Sequence, residues 1–507
     1  MIGLLVTALT PLLTAGLLLA PSRAEPRTDP ATPTADDPVL RGEELAERTA
    51  AGTTAAGTLR HLAAFQSIAE ANDGHRAAGS PGHEQSARYA GALLADAGYQ
   101  VSYQRFAFPY REPLAERLTL LGPEERDIPV KAMSYTGNTE DGGRTAPLAE
   151  VRAHGDGGAG CAADDFADRD WRGRVALIRR GDCTFAAKQA NAAEAGAVGV
   201  LIYNTDPGQL SGTLGDPDPG ALPTGGISGA DGEALSATLA EAPADAQPSV
   251  RLELRELVEE RHTTNVIAET PHGDPSQVVL AGAHLDSVSE GPGINDNASG
   301  AAGVLEAALQ LALATPEGDH PHKVRFALWS AEELGLRGAE HYVESLSPTE
   351  RDAIALYLNF DMIGSPNYGL FVYDGASHDE DSARIADDLG AFVGEVAGQD
   401  GQQDPARPTP FDDRSDYAPF LAAGIPAGGT FTGSDGLKTE EEAALWGGRA
   451  GEPYDPCYHR SCDDLDNISP EALEINARTI AHAVGRYAWH TPVGPRGAAA
   501  ESTAERR

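Results

Sequence analysis

A chain of 507 residues is long enough for roughly two to four domains, and 41% hydrophobic residues suffice for folded cores. Acidic residues outnumber basic ones by 77 to 38, so the formal net charge is -39 at pH 7. A surface this negative repels nucleic acid phosphates and anionic lipids, which excludes both as expected partners. The excess charge is interpreted as a solvated surface rather than as a binding device.

The first 24 residues have the pattern of a signal peptide. An apolar run is closed by Ser22, Arg23 and Ala24, with small residues where a signal peptidase cleaves. No Lys or Arg precedes the run, which leaves a misplaced start codon or an uncleaved membrane anchor as alternatives. No later window has the ~18 consecutive apolar residues of a spanning helix. We therefore predict a secreted, extracellular protein that does not contact the membrane once the signal is removed.

The next segments are taken in chain order. Residues 25–40, rich in Pro, Thr and Asp, are predicted to be a flexible linker or pro-segment. Pro81 after Ser80, followed by apolar residues at helical spacing, predicts a helix that ends before Gly98. The stretch YQVSYQRF then alternates as a strand does.

Residues 108–264 differ in texture from the rest of the chain. Glycine and proline are frequent, the apolar strands are short, and one alanine-rich helix is predicted from Thr184 to Ala195. Cys161 and the stretch GRVALIRRGDCTFAAKQANAAEAGAVGVLIYN resemble a protease-associated (PA) domain, a small β-rich α/β insert of exported peptidases. The alternative is an unrelated α/β insert. We find no catalytic constellation in it, so we interpret it as a spacer or substrate filter.

Four cysteines in an exported chain favour disulfide bonds. Three pairings are possible for Cys161, Cys183, Cys457 and Cys462. We favour Cys161 with Cys183 and Cys457 with Cys462, because each pair is close in sequence and lies within one proposed domain. A cysteine-ligated zinc site is the alternative, and the absence of Cys-x-x-Cys spacing disfavours it.

After Thr264 the sequence alternates strand, loop and helix. Apolar runs at Val278–Ala283, Val324–Trp329 and Ile354–Phe360 predict buried parallel strands of an α/β fold. Polar side chains follow the three runs: His284, then Glu332 and Glu333, then Asp361. The carboxyl ends of parallel strands meet at one sheet edge, where open α/β sheets bind ligands. Each residue alone has a structural explanation, but so many carboxylates together require cations.

Five segments carry a resemblance: GAHLDSVSEGPGINDNASG, WSAEELGLRGAEHYV, LNFDMIGSPNYGLFVYD, RSDYAPFLAAGIPAGGTFTG and DPCYHRSCDDLDNIS. They closely resemble the secreted di-zinc aminopeptidases of streptomycetes in the M28 metallopeptidase family. The resemblance implies the zinc-exopeptidase fold, a mixed, mostly parallel central sheet flanked by helices. Residues 41–107 and 265–490 would form the peptidase domain around the insert, and residues 491–507 a disordered tail.

The resemblance also implies a ligand set for two zinc ions per subunit. His284 and Asp361 match the ligands of one ion, Glu333 and His459 those of the other, and Asp296 the carboxylate that bridges them. Asp286 matches the carboxylate that orients the imidazole of His284. The peptide bond between Asp296 and Asn297 is expected to be cis. Cobalt or manganese could occupy the same ligands.

Roles in catalysis follow from the same resemblance. Glu332 matches the general base and Tyr458 the phenol that stabilises the oxyanion. Glu332 and Asp361 match the carboxylates that bind the substrate ammonium group, with the backbone carbonyl of Arg414 as a third partner. Met362 and Phe431 match the border of an apolar specificity pocket, which implies large hydrophobic N-terminal residues such as Leu.

We therefore predict a monomeric zinc aminopeptidase that acts on the N-termini of peptides and proteins. Two alternatives keep the fold: a carboxypeptidase of the same family, and a glutaminyl cyclase, which usually has one zinc. The Cys-Tyr-His-x-x-Cys segment and the "DRSD" context disfavour the first, and five retained ligands disfavour the second. A non-catalytic binding protein is the third alternative, but such proteins lose metal ligands.

Overall fold

The computed structural model describes residues 37–122, 124–154, 158–205, 208–215, 218, 220–243, 246–397 and 406–494. The predicted signal peptide, the linker up to residue 36 and the tail from residue 495 lie outside the described residues. The helices are α1 (Pro38–Gly52), α2 (Ala55–Glu70), α3 (Pro81–Asp96), α4 (Phe185–Glu194), α5 (Gly229–Glu241), α6 (Gly300–Ala314), α7 (Arg337–Ser345), α8 (Pro348–Ala353), α9 (Glu380–Ala397), α10 (Tyr417–Ala422), α11 (Glu440–Trp446) and α12 (Pro470–Tyr487). The strands are β1 (Gln100–Leu121), β2 (Arg126–Ile128), β3 (Lys131–Ala132), β4 (Arg144–Glu150), β5 (Val175–Arg179), β6 (Gly199–Tyr203), β7 (Thr224–Ile227), β8 (Ser249–Glu269), β9 (Asp274–His284), β10 (His322–Trp329), β11 (Ile354–Asp361), β12 (Phe371–Tyr373), β13 (Arg407–Thr409) and β14 (Ala427–Phe431).

The central sheet of the peptidase part has the strand order β13-β12-β14-β11-β9-β10-β8. The four central strands β14, β11, β9 and β10 run parallel, whereas β12 and β8 pair antiparallel with their neighbours β14 and β10. The prediction of a mixed, mostly parallel sheet is confirmed. The three predicted apolar runs lie within β9, β10 and β11, every residue of β11 being buried.

Helices cover both faces of this sheet. On one face α1, α2, α3, α6, α9 and α12 pack into the largest core cluster, in which α6 contributes small residues such as Ala301 and Ala308. On the other face, α7 and α10 cover a smaller cluster built around Trp329, Tyr357 and Phe420, whose Tyr357 and Phe420 rings stack with centroids 3.9 Å apart. Both faces of the sheet are therefore buried beneath helices, which explains why the central strands are apolar throughout.

The insert is joined to the peptidase sheet by a long antiparallel ribbon formed by β1 and β8. Pairing continues from Gln100 opposite Glu269 to Leu121 opposite Ser249, with one irregularity near Pro113. One end of β8 pairs with β10 of the peptidase sheet and the other with β4 of the insert. The predicted domain boundaries at 107/108 and 264/265 thus fall inside continuous strands, because the sequence texture changes where the strands leave the peptidase core.

The insert has its own small α/β fold. Strands β4, β5, β6 and β7 run parallel, with β3 antiparallel at the edge, and α4 and α5 pack against them. The Thr184 hydroxyl caps α4 by accepting from the amide of Ala187, so the helix starts one residue after the predicted position. Cys161–Cys183 and Cys457–Cys462 form disulfide bonds, as predicted.

The N-terminal region is helical earlier than the sequence predicts. Helix α1 begins at Pro38, inside the segment 25–40 predicted to be flexible. The side chain of Asp37 accepts from the amide of Val39, and proline at the first helical position needs no hydrogen-bond partner. No helix within the described ranges is long and apolar enough to cross a membrane.

Candidate metal centre

The carboxyl ends of three adjacent strands bring the predicted polar residues together. His284 ends β9, Glu332 and Glu333 follow β10 after a short turn, and Asp361 ends β11. Together with Asp296, His459 and Tyr458, these four residues line one cavity of about 100 Å³. The further residues that line it are Met362, Tyr373, Thr409, Pro410, Asp412, Arg414, Ser415, Tyr417, Phe431 and Ser434.

Asp296 lies between two groups of ligand atoms. Its Oδ1 is 3.2 Å from Nε2 of His284, and its Oδ2 is 3.1 Å from Nε2 of His459. On the first side Asp361 Oδ1 lies 3.4 Å from the His284 nitrogen, and on the second Glu333 Oε2 lies 3.0 Å from the His459 nitrogen. One carboxylate thus faces both an Asp-His pair and a Glu-His pair.

The loop after β9 gives Asp296 its position. The peptide bond between Asp296 and Asn297 is cis, as the resemblance implies. The carboxylate of Asp463 accepts from the backbone amides of Asn295 and Asp296, at 2.8 and 3.0 Å. Burial, reinforced by Asp455, raises the pKa of Asp463 to about 7. Sequence reasoning missed Asp463, although it follows the quoted Cys457–Cys462 segment directly.

His459 and Tyr458 come from a different part of the chain, the loop closed by the Cys457–Cys462 disulfide. Their rings stack with centroids 3.9 Å apart. His459 has a positive φ of 56°, an unusual backbone conformation for a residue with a side chain. The short covalent ring limits the conformations of this loop and so helps to hold both side chains over the cavity.

Several oxygens at the cavity lack hydrogen-bond partners within the described part of the chain. Oε1 of Glu333 and Oδ1 of Asp361 are buried without any, while Oδ2 of Asp361 accepts from the Ser415 hydroxyl at 2.6 Å. Ligand atoms of His284, Asp296 and Glu333 lie within 4.8 Å of one another, as do those of His284, Glu332 and Asp361. Buried carboxylate oxygens and imidazole nitrogens at this spacing fit zinc chemically.

The electrostatics of the cluster also indicate a cation. Burial lowers the pKa of His284, but Glu332 and Asp361 outweigh it and raise that pKa well above its usual value. Burial likewise opposes protonation of His459, yet hydrogen bonds to Asp296 and Glu333 raise its pKa to about 10. The carboxylates thus stabilise the protonated, positively charged form of both imidazoles. Bound metal ions would supply that positive charge in place of the protons.

The orientation of His284 suits metal binding. Its Nδ1–H donates to the backbone carbonyl of Asp286 at 3.2 Å, so Nε2 is the ring nitrogen that faces the cavity and could bind a metal. The Asp286 carboxylate lies farther from Nδ1, at 3.7 Å, and instead accepts from the backbone amide of Glu332 at 3.4 Å. Asp286 therefore contacts both the imidazole and the turn that carries the two glutamates.

Two more buried residues at the centre were missed by sequence reasoning. Neither carboxylate oxygen of Asp416 has a hydrogen-bond partner within the described ranges, and burial raises its pKa well above the usual value. Arg76 is fully buried and donates to the backbone carbonyls of Leu285, Pro292 and Gly293. Its guanidinium thereby fixes the loop between His284 and Asp296. Arg76 lies 208 residues from His284 in sequence, so no local pattern connects them.

The residues predicted to contact substrate lie at the same cavity as the predicted metal ligands. Arg414, Met362 and Phe431 line the cavity. Nη2 of Arg414 donates to the phenolic oxygen of Tyr458 at 3.3 Å. Because that oxygen accepts from Arg414, the O–H of Tyr458 is left to donate into the cavity.

Comparisons with known proteins agree with this geometry. Residues 265–484 match peptidase family M28, and residues 144–235 match the PA domain. An aminopeptidase of Pseudomonas aeruginosa is 41% identical over 506 residues, covering 94% of this chain and 90% of the relative. A probable leucine aminopeptidase 2 of Aspergillus fumigatus is 40% identical over 420 residues, covering 82% and 79%.

A solved structure is similar as well. The crystal structure of BSAP, a zinc aminopeptidase from Bacillus subtilis, superimposes with a TM-score of 0.62 at 28% identity, over 85% of this chain and 95% of that one. The chain belongs to peptidase family M28 and carries an inserted PA domain. Within that family it is an aminopeptidase, a hydrolase of peptides.

Proposed function

We propose that the protein is a secreted two-zinc aminopeptidase that removes large hydrophobic residues from peptide N-termini. The observation that carries this proposal is the position of Asp296, whose two oxygens face two separate histidine-carboxylate pairs at 3.1 and 3.2 Å. His284 and Asp361 would hold one zinc, Glu333 and His459 the other, and Asp296 both. When bound, zinc supplies a Lewis acid that polarises the scissile carbonyl and lowers the pKa of water.

Glu332 is the proposed general base. Its side chain is 10% exposed and lies 3.8 Å from Nε2 of His284, beside the cavity. Burial raises its pKa well above the usual value; His284 opposes that shift and Asp416 reinforces it. A carboxylate with a raised pKa is a stronger base than an exposed glutamate, so it accepts a proton from the attacking water more readily. The same group then holds that proton beside the leaving amine, to which it is returned.

Tyr458 is the proposed donor to the developing oxyanion. Burial, with Asp296 and Glu333 nearby, raises the pKa of its phenol, so it stays protonated at neutral pH. The hydrogen bond accepted from Arg414 leaves the phenolic proton free to donate to the substrate. A donor held in place before the reaction stabilises negative charge that appears only in the transition state.

Recognition of a free α-amine is proposed to come from fixed negative charge. Glu332, Asp361 and the backbone carbonyl of Arg414 would surround the ammonium group. The sheet edge and the Cys457–Cys462 loop bound the cavity. Met362 and Phe431 offer apolar surface to the first side chain, and the name of the fungal relative, a leucine aminopeptidase, supports a large hydrophobic preference.

Secretion rests on the N-terminal pattern and on the cysteines. All four cysteines of the sequence are paired in the two disulfide bonds, which is typical of proteins from oxidising compartments.

The test compares Leu-p-nitroanilide with its N-acetylated form. We expect rapid cleavage of the free amine alone, and loss of that activity after chelation, because the carboxylates bind an ammonium group and the chemistry requires zinc. Ala-p-nitroanilide and Lys-p-nitroanilide measure the side-chain preference. Equal cleavage of the acetylated substrate, or full activity of a protein shown to be free of metal, would contradict the proposal.

A further inference from the structure

The turn that carries Glu332 and Glu333 has a demanding backbone. It comprises residues 330–336, which connect β10 to α7, and the first two residues of α7, Arg337 and Gly338. The carbonyl of Glu332 accepts from the amides of Gly335 and Leu336 at 2.7 and 2.9 Å. Ala331 and Leu336 have φ values of 59° and 60°, a region that residues with side chains seldom adopt. Contacts from outside the turn must hold this shape.

One side chain of β8 bonds to both ends of the turn. Asn265 is fully buried. Its Oδ1 accepts from the amide of Ser330 at 3.0 Å, and its Nδ2 donates to the carbonyl of Gly338 at 2.8 Å. A single planar amide thus closes the turn from Ser330 to Gly338, with both glutamates between the two bonds.

Gly338 lies very close to the Asn265 side chain and to Ser330, so there is little free space between the two hydrogen bonds of Asn265. A Cβ atom added there would lie 2.4 Å from Oδ1 of Asn265 and 2.4 Å from the carbonyl oxygen of Ser330. No side chain fits at that distance, so glycine is required for the amide and the turn to meet.

The ribbon that leads to the insert supports the same turn. Oγ1 of Thr263 lies 2.6 Å from Oγ of Ser330. Ala331 belongs to a buried cluster with three aromatic residues of β1, against which Leu334 and Leu257 also pack; the aromatic residues are Phe106, Phe108 and Tyr110. Phe106 also stacks on His341 of α7, with ring centroids 5.0 Å apart. The ribbon therefore contacts the backbone of the turn, the apolar side chains of the turn, and the helix α7 that follows it.

We propose that Asn265 is a positioning residue for the reaction: it sets the location of Glu332 and Glu333, and the root of the insert thereby belongs to the catalytic apparatus. This inference rests on the proposed function, because it takes Glu332 as base and Glu333 as metal ligand. It gives the β1–β8 ribbon a role besides that of carrying the insert.

The test measures two quantities in Asn265→Ala: kcat on Leu-p-nitroanilide and the rate of zinc release to a chelator. We expect kcat to fall about 10- to 100-fold, as displacement of a catalytic group by about 1 Å does, with a smaller change in KM. Zinc release should become about 10-fold faster, because Glu333 is displaced with Glu332. In a Glu332→Gln background with zinc held saturating, Asn265→Ala should lower the residual kcat by a smaller factor than it does in the wild type, because the part of the effect that acts through Glu332 is already lost.

The matched control is Asn476→Ala. Asn476 is equally buried, and its Nδ2 donates to the carbonyl of Ala472 within α12, away from the turn. We expect it to lower the thermal midpoint without changing kcat or zinc release. Thr263→Val removes the contact with Ser330 and the hydrogen bond that Oγ1 of Thr263 accepts from the amide of Gly79 at 3.3 Å. It serves if Asn265→Ala does not fold, and should lower kcat about threefold to tenfold.

The inference is overturned if kcat and zinc release of Asn265→Ala, or of Thr263→Val where the former does not fold, change no more than in Asn476→Ala. Failure of the proposed function is recognised separately: Glu332→Gln would then keep wild-type kcat. In that case faster zinc release from the Asn265 variant would still support its hold on the turn.

Discussion

Glu332 and Glu333 are neighbours in sequence but differ in their surroundings. Glu333 faces His459 at 3.0 Å, and burial, with Asp296 beside it, raises its pKa to about 7. Glu332 makes no contact as short as this with either histidine, and its nearest imidazole nitrogen is 3.8 Å away. The shorter contact suits a metal ligand, and the longer one leaves room for a water molecule that a base can deprotonate.

The two glutamates should therefore fail in different ways. Glu332→Gln should retain its zinc and lose about 10²- to 10⁴-fold in kcat, since amides do not accept protons. Glu333→Gln should lose zinc, and excess zinc should restore part of its activity. Metal analysis beside steady-state kinetics checks both, and the reverse assignment would follow if Glu332→Gln lost its metal.

His482, which lies outside the metal centre, should make the stability of the fold depend on pH. Its side chain is 8% exposed, and burial, with Arg486 and Arg478 nearby, lowers its pKa to about 4. Between pH 6.5 and pH 4 the unfolded chain takes up a proton that the folded chain refuses, so stability is lost as the pH falls through this window. His482→Gln should reduce this loss by about 1–3 kcal/mol.

Urea unfolding at pH 7 and pH 4.5 measures the effect. His490→Gln, a substitution of the same type at an exposed histidine, is measured beside it as the control. Identical pH dependence in the wild type and in His482→Gln would refute the prediction.

At the scale of elements, the two disulfides close rings of different size and purpose. Cys457 and Cys462 are five residues apart and enclose Tyr458 and His459, whereas Cys161 and Cys183 are 22 residues apart within the insert. A longer ring removes more conformational entropy from the unfolded chain. Both disulfides should therefore stabilise the fold, Cys161–Cys183 the more, whereas activity should depend on Cys457–Cys462 alone.

Replacing both cysteines of a pair by serine tests this difference. Loss of Cys161–Cys183 should cost about 3 kcal/mol of unfolding free energy and leave kcat unchanged, while loss of Cys457–Cys462 should cost about 2 kcal/mol and lower both kcat and zinc affinity. Denaturant unfolding and kinetics on the same preparations measure both quantities. Equal kcat in the two variants would show that the short ring does not position its loop.

The elements also show what the sequence could and could not predict. Strands β9, β10 and β11 are apolar runs that end in polar residues, so their parallel pairing and the sheet-edge cluster were predictable from local pattern. Asn265 acts through its hydrogen bond with Ser330, 65 residues away, and Arg76 through its hydrogen bond with Leu285, 209 residues away. The periodicity of a local sequence pattern does not predict contacts between residues so far apart. The predicted ends of the insert, at residues 108 and 264, lie within β1 and β8, which pair with both parts of the chain.

At the scale of the whole molecule, four acidic side chains are gathered in the cavity at the carboxyl ends of the central strands β9, β10 and β11. Asp296, Glu332, Glu333 and Asp361 share one small cavity, and the chain as a whole has a net charge of -39. Buried like charges destabilise the folded state unless cations bind. Zinc should accordingly stabilise the folded protein by linkage, and chelation should lower its thermal midpoint.

Zinc titration of the chelated protein tests whether the carboxylate of Asp296 joins two metal sites. Metal content and kcat on Leu-p-nitroanilide are followed together as zinc is added. We expect saturation at about two zinc ions per chain, and loss of both in Asp296→Ala, because that carboxylate faces both histidines. Saturation at one ion with full activity, or an Asp296→Ala variant that still binds two, would contradict this expectation.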